Sequence, residues 1–273
     1  QMEVRHVYGE TLCELMEADP RVLCLEADLS KASGTNPMVA KRHPNNFINC
    51  GVCEANMISI GAGLSAEGKI PFCASFTCFA SRRVYDQITI SVAYAGLNVK
   101  ITGTAPGITA GPNGGTHMCF QDLGIMRIMP NMHVYSPCDP FELRSMMKQM
   151  AASSQPAYMQ LIRPKVDPIF DSETGFQPGK AHVLFDGDDV ALISTGYATH
   201  LAAAAARELA TKGIQVQLIH CPSIKPLDEE AIIAAAKRCG AVVTVENQNI
   251  LGGLGGAVCE VICEHHAVPV KRL

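Results

Sequence analysis

Short apolar runs rich in Val, Ile and Leu punctuate this chain at residues 22–25, 70–74, 99–102, 132–135, 157–161, 190–194, 216–219 and 241–245. Longer stretches with apolar residues at helical spacing lie between them, at 54–67, 76–94, 140–152, 200–212, 229–239 and 254–264. Runs that are apolar on both faces suit strands of a parallel sheet covered by helices on both sides. The alternation therefore predicts an α/β protein of two doubly wound domains. Residues 164–189, PKVDPIFDSETGFQPGKAHVLFDGDD, interrupt the rhythm with prolines and acids and read as a linker. This divides the chain into a domain at 1–163, the linker at 164–189 and a smaller domain at 190–273.

Composition narrows the class. Of 273 residues, 48% are hydrophobic and 18% charged, which is globular and somewhat poor in surface charge. Sparse charge is expected where another subunit covers part of the surface. A net charge of −4 argues against a nucleic-acid partner. With no apolar run of about 18 residues and a polar start, QMEVRHVYGE, neither a membrane span nor a secretory signal is expected. The 12 cysteines are scattered through apolar runs and read as small core residues of a reducing, cytoplasmic protein.

Several motifs are near misses. Gly63 to Lys69 has phosphate-loop spacing, but Ile70 stands where a Ser or Thr belongs, and the glycines lead from helix into strand. LGGLGG at 251–256 reads as a tight turn opening the last helix. Cys50 and Cys53 form a CxxC without a second pair nearby, and two structural thiols explain it. Three features are harder to set aside. Glu54 heads an apolar segment, and its neighbours Cys53, Ala55 and Met57 give it no ionic partner. The macrodipole favours an acid there, yet a buried lone carboxylate is costly and is a candidate acid/base group. The loop 104–117, TAPGITAGPNGGTH, follows a strand's carboxyl end, where such folds build sites, and finishes in His117. Phe76 and Phe79, in a chain with 9 Phe and no Trp, make one aromatic face, for core packing or for a flat ligand.

Taken together, GVCEANMISIGAGLSAEGKIPFCASFTCFASRRVYDQI and GPNGGTHMCFQDLGIMRIMPNMHVYSPCDPFE resemble the C-terminal half of transketolase. The first resembles the family's Gly-x-x-Glu and Phe-x-x-Phe of the pyrimidine-binding domain; the second resembles its G-x-T-H-Q loop. The resemblance covers essentially the whole chain and implies a pyrimidine-binding domain followed by the family's C-terminal domain. It implies that Glu54 hydrogen-bonds N1′ of the aminopyrimidine of thiamine diphosphate, favouring the tautomer that deprotonates the thiazolium carbon. Phe79 would stack on the pyrimidine, with Phe76 beside it, and Asp28 would belong to the cofactor cleft. His117 would bind substrate oxygens near the reacting carbon. A two-carbon ketol unit would pass from a ketose phosphate to an aldose phosphate.

The family's Gly-Asp-Gly, which holds the diphosphate and its Mg²⁺ or Ca²⁺, has no counterpart; Asp186-Gly187-Asp188-Asp189 falls in the linker. No metal ligand is therefore expected in this chain. An N-terminal transketolase subunit carrying the diphosphate domain would share the cofactor, most simply as α2β2. In this resemblance Arg163 matches an arginine for the sugar phosphate and Arg5 is the candidate match for another, but Ala105 replaces a phosphate-gripping histidine. Asn113 replaces a hydroxyl-reading aspartate, and Arg82 replaces an aromatic and could supply the lost phosphate contact. An unusual or branched sugar phosphate is then a candidate substrate. The alternatives are a deoxyxylulose-phosphate synthase-like or 2-oxoacid dehydrogenase beta-like subunit, or a non-catalytic scaffold of the same fold.

Overall fold

The computed structural model describes residues 1–173 and 175–273. Its larger sheet runs, edge to edge, Phe47–Asn49, Val22–Glu26, Ile70–Phe76, Lys100–Thr104, Ala157–Leu161, His133–Tyr135 and Ser223–Lys225. The first six are parallel, and every residue of Val22–Glu26, Ile70–Phe76, Lys100–Thr104 and Ala157–Leu161 is buried. Ser223–Lys225 arrives antiparallel from the C-terminal region and closes that edge. A second sheet runs Val270–Arg272, Val242–Val245, Val190–Ser194, Val216–His220 and His182–Phe185, parallel except for the last.

The stretch read as a linker is therefore not without structure. Lys165–Val166 pairs antiparallel with Met2–Glu3, and His182–Phe185 edges the second sheet. Strands this short leave no periodicity to detect. The expected helix over 76–94 is likewise broken. The strand runs to Phe76, a short helix Thr77–Ala80 follows, and the backbone turns at Ser81 (φ −125°, ψ −88°). A 3₁₀ turn Arg82–Val84 and a π-helical stretch Ile88–Tyr94 complete it. The result brings Phe79 and Arg83 to Glu54 at the carboxyl edge of the sheet, instead of winding the segment around one axis.

One hydrophobic cluster passes from Leu25 and Ile58 through Leu123 and Met126 to Ile193, Ile232 and Val258, so the two sheets share a core. Polar clasps reinforce it. Arg127 pairs with both carboxylate oxygens of Glu260 at 2.7 Å, and Lys225 Nζ donates to the carbonyls of Arg127 and Met129 at 2.9 and 2.6 Å. Among the described residues no helix is long and apolar enough to cross a membrane.

Candidate active site at the carboxyl edge of the larger sheet

Glu54 opens the helix Glu54–Ala66, and its side chain turns inward to the carboxyl end of Ile70–Phe76. It is 4% exposed. Ser75, fully buried, donates its hydroxyl to Glu54 Oε1 at 3.4 Å, and Arg83 Nη1 donates to Oε2 at 3.1 Å. Local sequence provides no ionic partner for this carboxylate; the fold does, from 29 residues along the chain. The Arg83 guanidinium also lies over the Phe79 ring, 3.9 Å from its centroid.

Phe76, Phe79 and His117 form an edge-to-face triangle, with ring centroids 6.2 Å apart for the two Phe and 5.5 and 5.4 Å from each to His117. Such tilted pairs match the electron-poor rim of one ring to the face of the next. His117 Nδ1 is bonded to the Thr116 hydroxyl at 2.9 Å. The loop behind it winds as a 3₁₀ helix over Gly107–Asn113 and is held from the other domain. Asn247 accepts from the N–H of Ile108 at 2.9 Å and donates to the carbonyl of Pro106 at 2.9 Å. Gly107, at φ +51°, is where the two backbones meet; a Cβ there would run into Asn247.

Asp28 sits just past Val22–Glu26 in a left-handed turn (φ 61°), with its N–H donating to Asn49 Oδ1 at 3.0 Å. The same oxygen accepts from the N–H of Gly51 at 3.1 Å, so Asn49 couples Asp28 to the loop leading into Glu54. Beneath Asp28, Glu26 is fully buried and accepts from Ser33 and Thr35 on one oxygen; the other has no partner among the described residues. Burial pushes its carboxyl up to about 7, against the pull of those two hydroxyls.

That shift has a sign. Between about pH 4.5 and 7 the folded chain keeps a proton that the unfolded chain has released, so stability falls as pH rises through this window. Glu26→Gln should therefore raise stability by up to about 3 kcal/mol at about pH 8 and change it little near pH 4. Urea unfolding at both pH values reads this directly. Lower stability of the variant at both would refute it.

Arg5 and Arg163, from opposite ends of the larger domain, line one crevice with Phe76, Thr104 and Ala105. The antiparallel pairing of Met2–Glu3 with Lys165–Val166 brings them there. Arg163 donates to Asn113 Oδ1, and Arg5 pairs with Glu3. Ala105 is buried at φ 54°. Arg82 is not among the residues that line this crevice. It is exposed, has no ion-pair partner among the described residues, and lies toward Cys78 and Cys119, where its charge lowers both thiols against a larger upward push from burial. The turn at Ser81 sends it there.

Sequence reasoning passed over two groups. Arg83 was within reach of it, since four residues after Phe79 is a spacing that lets side chains meet. The other is a polar cluster between the domains, Cys138, Glu142 and His220, whose ligand-type atoms lie within 4.8 Å of one another. His220 Nε2 donates to Glu142 Oε2 at 2.8 Å, which is a hydrogen bond with no room for an ion between. Asp186 and Asp188 are both engaged by Arg238.

The transketolase pyrimidine-binding domain profile matches residues 1–168, and the transketolase C-terminal domain profile matches 179–273. The chain belongs to the transketolase family. It is 46% identical to a 6-deoxy-6-sulfo-D-fructose transketolase subunit of Clostridium sp., over 99% of this chain and 84% of that protein. An apulose-4-phosphate transketolase subunit of Phocaeicola vulgatus is 35% identical over 98% of this chain and 85% of that protein. A solved split-gene transketolase, an inactive beta4 tetramer, superposes with a TM-score of 0.92 at 38% identity, covering 99% of this chain and 88% of that one. The chain is thus similar along nearly its whole length to transketolase subunits that are separate polypeptides, and transketolases are thiamine diphosphate enzymes.

Proposed function

We propose that this chain is the C-terminal subunit of a two-chain transketolase that holds the aminopyrimidine of thiamine diphosphate and receives a ketose at Arg5 and Arg163. The observation that carries the reading is the pairing of a buried carboxylate, Glu54, with a flat group lying on Phe79. That group is the Arg83 guanidinium, so the space between carboxylate and ring admits a planar hydrogen-bond donor. When bound, the cofactor supplies a carbon nucleophile that carries the two-carbon unit. The chain's own residues do the rest. Glu54, dry and backed by Ser75, shares a proton with the ring nitrogen. Phe79, with Phe76 beside it, holds the ring plane, and Asp28 lines the same cleft through Asn49. His117 meets substrate oxygens, its loop steadied by Asn247.

Arg5 and Arg163 suit a terminal anion on the sugar, since guanidinium groups bind such oxygens in pairs. Ala105 in place of a histidine, and Asn113 tied to Arg163, reshape that end of the site. Relatives named for sulfofructose and apulose 4-phosphate support an unusual ketose bearing a phosphate or sulfonate.

The helix Glu54–Ala66 is apolar nearly all round, yet Ile60 and Leu64 are only half-buried. Val52 is 77% exposed beside it, and Tyr94, on the π-helical stretch packed against it, is 84% exposed. A helix without a polar face is normally covered. An N-terminal transketolase subunit, holding the diphosphate and its Mg²⁺ or Ca²⁺, is the proposed cover, with α2β2 as the assembly. The inactive beta4 form of a related protein agrees with activity needing a partner.

The test is calorimetric titration of thiamine diphosphate and Mg²⁺ into the chain alone and into its complex with the N-terminal subunit. Saturable binding is expected for the complex and little for the chain alone. Tight binding to the isolated chain would overturn the shared site.

A further inference from the structure

Arg83 has no place in the reaction described above, yet it occupies the centre of the site. Its guanidinium is planar, carries in-plane N–H donors and presents a flat face. It uses the donor on Glu54 Oε2 at 3.1 Å and the face on Phe79 at 3.9 Å. Those are the two contacts the proposed reading gives to the aminopyrimidine: the same carboxylate and the same aromatic face. Two flat groups cannot cover one ring face together. Without Arg83, Glu54 would be left buried with only the Ser75 hydroxyl at 3.4 Å, a costly state for a carboxylate.

We propose that Arg83 is a placeholder for the cofactor ring. In the cofactor-free chain it fills the pyrimidine position, satisfies Glu54 and covers Phe79; when the cofactor enters, the side chain leaves toward solvent. Its side chain is 49% exposed and flexible, so it can leave without a backbone movement. The arrangement keeps a buried acid and an aromatic face from standing open before assembly. The same contact taxes cofactor binding, because only molecules with Arg83 withdrawn can accept the ring, and apparent affinity falls by that fraction.

This inference rests on the cofactor reading, and the two can fail separately. In the reconstituted two-chain complex, calorimetry should show Arg83→Ala binding thiamine diphosphate roughly tenfold more tightly than wild type. In the cofactor-free chain the same change should lower the midpoint of thermal unfolding, and in the cofactor-loaded complex it should not. Arg83→Lys keeps a cation for Glu54 but cannot lie flat on Phe79, so it should tighten binding by a smaller factor; it carries the test if the alanine variant does not fold. Unchanged or weaker cofactor binding by these variants would overturn the placeholder while leaving the cofactor site intact. A wild-type complex that binds no thiamine diphosphate would overturn the function itself.

Discussion

Glu54→Gln is expected to lower turnover of the reconstituted two-chain enzyme roughly 100- to 10,000-fold, the range over which a positioned proton-transfer group contributes. Glutamine keeps the shape: its carbonyl can accept from Arg83 while its amide N–H donates to the Ser75 hydroxyl, which can accept as well as donate, so the helix Glu54–Ala66 should not be disturbed. What is lost is the ability to share a proton with a weakly basic ring nitrogen. The setting magnifies the loss. At 4% exposure no water can substitute for the carboxylate, and no other acid among the described residues bonds to Ser75 or Arg83. Steady-state assay of the complex, with thiamine diphosphate affinity measured alongside, separates this from a binding defect. A scaffold subunit would tolerate the change, so turnover within a few-fold of wild type would eliminate the catalytic role.

How much of this was visible in the residues follows from how local each cause is. The buried parallel strands announce themselves because Val, Ile and Leu in short unbroken runs have few other uses. Glu54 and His117 were conspicuous for a related reason: each is polar where its surroundings are apolar or glycine-rich. Arg83 was not, because its meaning comes from contact with a residue 29 positions away. Arg82 is a candidate phosphate contact by its position in a motif, and after the turn at Ser81 it lies toward Cys78 and Cys119, which pack with Phe76 and Ala105 of the crevice. The grip of Asn247 on the His117 loop joins residues 139 and 141 apart, which no pattern within either domain reveals. Short edge strands such as His182–Phe185 and Ser223–Lys225 are defined by their neighbours more than by their own composition.

The clasp between the domains should be the costliest single contact to break. Glu142 lies in the first turn of the helix Pro140–Ala152, and its Oε2 accepts from the N–H of Cys138 and from His220 Nε2, both at 2.8 Å. His220 ends a strand of the second sheet; its other ring nitrogen is bonded to Thr199 at 2.8 Å, and the ring stacks against His182. Both partners are wholly buried. A buried carboxylate robbed of its partner has no water to replace it, so His220→Ala should cost on the order of 3 kcal/mol or more in urea unfolding at fixed protomer concentration. A loss below about 1 kcal/mol, the scale of an ordinary hydrogen bond, would refute this. The acid limb should move as well. Burial pushes the Glu142 carboxyl up, but the charge and hydrogen bond of His220 outweigh it and hold it below 4.5. Its stabilisation is therefore complete above about pH 4.5 and lost as pH falls further, through the folded-state value. With His220 gone, the Cys138 N–H and His182, 3.6 Å from Oε1, still favour the carboxylate, but the largest opposition to burial is lost, so the carboxyl rises and acid unfolding should begin at higher pH. Adding Glu142→Gln to His220→Ala removes the stranded charge and should recover part of the loss, an interaction between the two changes that independent sites would not show.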